Sequence, residues 1–214
     1  MTQFPPVDQA DEDGLLAMGG DLEVATLKLA YASGIFPWPV AGMPLLWFAP
    51  PRRAILEFSE FRIPQRLQRY LKQVNFEFRV DTNFEAVIRG CALSRNRGGE
   101  RGTWITKEMV AAYIKFHRYG FAHSFEVWNA RNELVGGLYG VWMGKFFAGE
   151  SMFYKETNAS KFALIQTVNY LKQSGLSWMD VQVLTPLLKS FGAKEIPRAN
   201  FMKKLRQAIE SKPD

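Results

Sequence analysis

The chain predicts an α+β fold built on a mixed sheet, and three observations predict it. Leu134–Phe153 (LVGGLYGVWMGKFFAGESMF) holds two apolar, aromatic-rich runs on either side of Met143-Gly144-Lys145, which reads as a hairpin with glycine at its tip. The residues that follow read as helix and then strand with short links. Strand, helix, strand in that order implies a right-handed parallel crossover. Of 214 residues, 47% are hydrophobic and 14% aromatic, enough core for one large domain, or a main domain with a small satellite, and too apolar for a disordered chain.

In chain order, residues 1–60 read as a compact, turn-rich unit. Gly14 to Leu22 is a loop in which Asp21 caps a helix from Leu22 to Ser33, with Leu22, Ala25, Leu29 and Ala32 at helical spacing and Gly34 as its stop. Ile35-Phe36-Pro37-Trp38-Pro39 is too proline-rich for helix or central strand. Leu45-Leu46-Trp47-Phe48-Ala49-Pro50-Pro51-Arg52-Arg53 sets two aromatics beside a proline stop and two cations. Trp38, Trp47 and Phe48 fit a core, or a rigid platform for a flat apolar ligand.

Ile63–Leu71 is a helix with proline in its first turn. Arg62, Arg66 and Arg69, with Lys72 and Arg79 beyond, form a basic face, either merely solvated or built for phosphates. Phe76–Val80 is a strand, Phe84–Leu93 a helix, and Ser94–Gly102 a cationic loop carrying Arg95, Arg97 and Arg101. A helix from Lys107 to Tyr119 and a strand from Ala122 to Trp128 lead into the hairpin. After it, Thr157 or Asn158 caps a helix to Gln173, and Leu176–Leu184 is a strand. Pro186–Phe191 is a short helix and Arg198–Ser211 a final amphipathic one.

Composition narrows the function. The single cysteine, Cys91, excludes an internal disulfide and a Cys-rich zinc site, and fits a reducing, cytoplasmic compartment. No apolar run reaches the roughly 18–20 residues of a membrane helix, and the acidic N-terminus is unlike a targeting peptide. A net charge of +6 favours a polyanionic partner without requiring one.

Within the hairpin, Gly136, Gly137, Gly140 and Gly149 interrupt good strand sequence, which marks a bulge or a close approach. Beside them stands one carboxylate, Glu150, which must find a partner or shift its protonation in so apolar a run. Asp180 and Gln182 lie two apart on a strand and so share a face. There the carboxylate can accept from the carboxamide, aiming the amide oxygen at an amine, or the pair can be a structural hydrogen bond. His117 and His123 lack a third ligand for zinc, and no nucleophile elbow, Walker loop or dinucleotide fingerprint is present. An enzyme of this kind would position two substrates and remove a proton, with no metal or cofactor.

These residues are similar to one family. The segments 14–22, Gly34–Trp38, Thr103-Trp104-Ile105, His123–Trp128, Leu134–Gly140, Gly149–Phe153, Ala159-Ser160-Lys161 and Asp180-Val181-Gln182 resemble leucyl/phenylalanyl-tRNA–protein transferase, nearly end to end and in order.

The resemblance implies transfer of Leu or Phe, also Met, from aminoacyl-tRNA to the N-terminal Arg or Lys of a protein. The product is an N-degron that marks the protein for degradation. It implies an acetyltransferase-like (GNAT) mixed sheet with flanking helices over residues 61–214, beside a small N-terminal α/β domain over 1–60. Asp180 and Gln182 would be the catalytic pair. Glu150 would hold the aminoacyl adenosine or the acceptor amine. Trp47, Phe48, Trp104 and Phe147 would stack the terminal adenine and line the side-chain pocket. Leu138 and Ser151 would also bind substrate, and Arg62, Arg66, Arg69, Arg95, Arg97 and Arg101 the tRNA. No cofactor, no membrane and a monomer are expected.

Departures from the family pattern are Phe48 in place of the second tryptophan of a Trp-Trp pair, the absence of a histidine in Thr185-Pro186-Leu187-Leu188, and a long 95–102 loop. A noncatalytic RNA-binding protein and an acyl-CoA acetyltransferase are the competing readings. The second is disfavoured because Tyr154–Asn158 replaces a glycine-rich pyrophosphate loop.

Overall fold

Apolar runs bounded by glycine turns set the sheet, and apolar helix faces cover it. A computed structural model describes residues 3–40, 42–94 and 104–210. In chain order the elements are β1 (Leu15–Met18), α1 (Val24–Ala32), β2 (Phe36–Pro37), β3 (Leu46–Phe48), β4 (Arg52–Glu57), α2 (Gln65–Leu71) and β5 (Glu77–Val80). They continue with α3 (Phe84–Leu93), α4 (Lys107–Arg118), β6 (Ala122–Trp128), β7 (Leu134–Met143), β8 (Phe146–Tyr154), α5 (Ala159–Gln173), β9 (Trp178–Gln182), α6 (Pro186–Ser190), β10 (Lys194–Pro197) and α7 (Arg198–Glu210). Arg95, Arg97 and Arg101 lie outside the described residues.

The strands form an antiparallel sheet in the order β1-β3-β2 and a seven-stranded mixed sheet in the order β10-β4-β9-β8-β7-β6-β5. In the larger sheet only β8 and β9 run parallel, joined across α5; the other neighbours are antiparallel. The α+β class and the parallel crossover therefore stand as read from sequence. Helices cover both faces. Leu27 and Tyr31 of α1, Val87 and Ile88 of α3, Tyr113 and Phe116 of α4 and Phe201 of α7 share one core. Leu164, Val168 and Leu171 of α5, with Leu67 of α2, share the other. Double coverage explains why β7 and β8 are apolar almost throughout instead of alternating.

Several local expectations differ from the structure. The segment expected as a loop holds β1, pinned when Ala49 N donates to the Gly14 carbonyl. Proline in β2 is tolerated because that strand is an edge of its sheet. Asp21 is not the helix cap: Glu23 takes that position, and Asp21 Oδ1 instead accepts from Glu23 N and Thr26 Oγ1. Asn158 begins α5 in a left-handed conformation (φ 64°) with its side chain on Lys161 Nζ and no cap bond. β4 falls within residues 1–60 yet pairs with β9 and β10 in the large sheet, and Leu27 and Tyr31 pack into that sheet's core.

Candidate active site

Ala148 and Asp180 are the register pair of parallel strands β8 and β9. The residues just beyond on both strands, Gly149–Met152 and Val181–Val183, line a cavity of about 490 Å³. Each strand carries an irregularity at this point. Gly140 pairs with Gly149 and Tyr139 with Ser151, which leaves Glu150 as an extra residue in β8. Ala54 pairs with Gln182 and Ile55 with Asp180, which leaves Val181 extra in β9. An extra residue bends its strand and re-aims the side chain there. The glycines permit the first bulge: a Cβ on Gly140 would stand 2.3 Å from the Ala148 carbonyl oxygen.

Trp38, Trp104, Leu138, Met152, Leu164 and Met179 make most of the cavity wall apolar. The two indoles stack at 5.1 Å with 14° between planes. Into this slot reach Glu150 and Gln182. Gln182 Nε2 donates to Glu150 Oε1 at 2.6 Å. Glu150 Oε2 is buried with no hydrogen-bond partner among the described residues. Behind Glu150, the hydroxyls of Tyr31 and Tyr113 bond each other. Burial pushes the Glu150 carboxyl up to about 7; the nearby Tyr31 hydroxyl offsets part of that and the Asp180 charge adds to it.

Asp180 is fully buried, and the expected bond from the Gln182 carboxamide to it is absent. Its Oδ1 accepts from the Gln182 backbone N at 2.9 Å, and both its oxygens accept from Arg53, at 2.9 and 2.7 Å. The carboxamide is committed to Glu150 instead, because Gln182 turns into the left-handed region (φ 61°) and leaves the strand alternation that would put it on the face of Asp180.

Of the substrate-binding residues expected from sequence, Glu150, Trp104, Leu138 and Ser151 line the cavity with Gln182, while Trp47, Phe48 and Phe147 do not. Trp47 is wholly buried, its Nε1 donating to the Gly19 carbonyl and its ring against Phe4. Phe48 stacks on Phe36, and Phe147 packs edge-on to Phe125 and Trp142. Sequence reasoning left out Met152, Leu164 and Met179, whose spacing reads only as core. It flagged Trp38 as an aromatic in a proline-fixed loop without placing it in the site. Arg62, Arg66 and Arg69 are exposed on and before α2, whereas Arg79 is engaged by Glu77 and Asn132. His123 bonds Asp81 and His117 the Ala122 carbonyl.

Comparison with known proteins gives the context of this cavity. Residues 55–206 match the family model for leucyl/phenylalanyl-tRNA protein transferase, and residues 20–51 match that for its N-terminal domain. A leucyl/phenylalanyl-tRNA–protein transferase of Anaeromyxobacter dehalogenans (strain 2CP-C) is 49% identical over 207 residues, 97% of this chain and 88% of that protein. One from Flavobacterium johnsoniae is 47% identical over 203 residues, 95% of each. Among solved structures, a GCN5-related glucosamine N-acetyltransferase region of a fungal multi-domain β-N-acetylglucosaminidase is similar over 85% of this chain and 23% of that one, at 11% identity and a TM-score of 0.45. The chain is an aminoacyltransferase, an α+β enzyme with a slot between its two parallel strands. It belongs to the leucyl/phenylalanyl-tRNA–protein transferase family.

Proposed function

We propose that the cavity between β8 and β9 takes the aminoacyl end of a charged tRNA and passes its Leu, Phe or Met to the N-terminal Arg or Lys of an acceptor protein, creating an N-degron. The observation that carries this is an apolar slot with one polar point, the Glu150–Gln182 pair. Leu138, Met152, Leu164 and Met179 suit an aromatic side chain or an aliphatic one unbranched at Cβ, and a misfit there costs about 1–3 kcal/mol. Trp38 and Trp104 offer stacking faces for the terminal adenine, and Ser151 a hydroxyl at the wall. Trp47, Phe48 and Phe147 contribute only from behind.

The chemistry is aminolysis of an ester. The neutral α-amine attacks the aminoacyl carbonyl carbon, the C–O bond to the ribose breaks, and the amine proton ends on the departing ribose oxygen. Gln182 gives its NH2 to Glu150, so its Oε1 is left to accept from the incoming amine and hold the nitrogen at the carbonyl. Asp180, with both oxygens held by Arg53, fixes Gln182.

Arg62, Arg66 and Arg69 are the described part of the tRNA face; Arg95, Arg97 and Arg101, also expected to contact tRNA, lie outside the described residues. Arg62 N donates to the Phe191 carbonyl just after α6, and Pro186 and Leu188 of α6 line the cavity, which supports a basic face close to it. The sheet, whose parallel pair β8 and β9 is itself bulged, is read as acetyltransferase-like, carrying a small N-terminal unit. No helix among the described residues is long and apolar enough to cross a membrane, and a reducing, cytoplasmic compartment fits the free, buried cysteine. Incubation with charged Leu-tRNA and a peptide beginning with Arg tests the reading. Leucine is expected on the peptide's N-terminus; retention of tRNA without transfer would reduce the protein to a binding module.

A further inference from the structure

Among the described residues Arg53 is the one cation buried as deeply as the aromatic core, 2% exposed in β4, and no sequence pattern marks it. It lines no part of the cavity. Its guanidinium gives Nε to Asp180 Oδ1 at 2.9 Å, Nη2 to Asp180 Oδ2 at 2.7 Å and Nη1 to the Gly34 carbonyl at 3.1 Å. Its Cζ lies 4.5 Å from the ring centre of Phe36 and 4.7 Å from that of Phe201. Five directions are thereby fixed by groups from the end of α1, from β2, from β9 and from α7.

A buried ion pair is a poor way to gain stability, because desolvation offsets most of the attraction and an apolar pair of the same volume serves as well. Its other use is to fix a conformation. The conformation that needs fixing is two residues along β9 from Asp180. Gln182 sits at φ 61°, a region that costs a side-chain-bearing residue about 1–2 kcal/mol and persists only where the surroundings over-determine it. The group that reaches its backbone N–H is Asp180 Oδ1, the same oxygen that Arg53 Nε holds.

We infer that Arg53 is a positioning residue of the transferase site. It clamps Asp180 so that Oδ1 pins the left-handed backbone of Gln182, and that backbone aims the carboxamide at Glu150 and the cavity. A lysine at 53 supplies the charge but not the fork, so Asp180 loses one of its two anchors and Gln182 its fixed direction. The inference rests on the reading of Gln182 as the group that meets the acceptor amine, and its test separates the two.

The test is a kinetic cycle on the full chain with Leu-tRNA and an Arg-initiated peptide, using wild type, Arg53→Lys, Gln182→Ala and the double variant. Arg53→Lys is expected to lower kcat about 10- to 100-fold, the scale of a misplaced group, with KM for charged tRNA within about twofold. In the Gln182→Ala background the same change should cost less than about twofold, because the carboxamide it positions is gone. Equal losses in both backgrounds would make Arg53 a support of the fold and overturn the inference alone. Full turnover in Gln182→Ala would sink the amine-facing role and this inference with it. Should Arg53→Lys not accumulate as folded protein, Arg53→Met with Asp180→Asn, which strands no buried charge, replaces it in the same cycle with the same expectations.

Discussion

Glu150 makes the fold pay for the site. Its carboxyl titrates near 7 in the folded protein against an ordinary 4.5, so the folded state binds its proton more tightly than the unfolded chain does. Stability from this group is therefore complete below about pH 4.5, falls as pH rises toward 7, and beyond that is lower by about 3 kcal/mol. Glu150→Gln keeps the oxygen that accepts from Gln182 Nε2 and cannot ionise. Its melting temperature is expected to exceed wild type near pH 8, with the gap closing below about pH 5. Thermal melts across that range check this, and a gap that ignores pH would place the ionisation elsewhere. The pairing of this acid with Gln182 was half legible. An isolated carboxylate in an apolar strand has to find a partner, and an Asp-x-Gln strand repeat suggests one. The sequence offers no means of choosing between Asp180 and Glu150 as the carboxamide's acceptor, because a strand read as regular hides the turn at Gln182 that decides it.

Between residue and fold stand the two bulges. Each takes a side chain out of the sheet's alternation, Glu150 from β8 and Gln182 past Val181 in β9, and the slot lies where they occur. Gly149 is the hinge of the first. A Cβ there would lie 2.9 Å from Met179 Cε, the free end of a flexible side chain, so alanine fits only by pushing that methionine toward the slot. Gly149→Ala is expected to keep leucine transfer within a few-fold while shifting kcat/KM for Leu over Phe by about tenfold, near 1.4 kcal/mol. Competition between the two charged tRNAs measures it, and equal loss for both would mean that the wall does not sort donors by size. The glycines announced this irregularity in the sequence, and the longer helices were legible, although the caps that hold α3 and α4, Asn83 and Thr106, were not among those the sequence suggested. Strands β1, β3 and β10 were not, being only three or four residues long and closely bounded by glycine or proline. β4 was missed for another reason: it opens with two arginines, and the partner that justifies burying Arg53 stands 127 positions later.

For the molecule as a whole, the excess of cations must be placed where a polyanion can use it. α2 and the turn before it are tied to elements that help line the cavity: Tyr70 hydroxyl donates to the Thr157 carbonyl just before α5, and Phe61, ahead of α2, stacks on Phe191 just past α6. Arg66 and Arg69 stand exposed on that helix and make no ion pair among the described residues. A tRNA whose 3′ end enters between β8 and β9 would lay its phosphates along this face. Each phosphate neutralised by a cation contributes somewhat less than one unit to the slope of log affinity against log salt. Arg66→Glu with Arg69→Glu is therefore expected to weaken binding of charged tRNA and to flatten its salt dependence by about 1.5–2 units. Turnover at saturating tRNA should hold, because neither side chain lines the cavity. Titration at several salt concentrations reads the slope directly. An unchanged slope with unchanged affinity would put the path of the nucleic acid on another face, while a lost kcat at an unchanged slope would mean that α2 shapes the slot through α6 without touching phosphate.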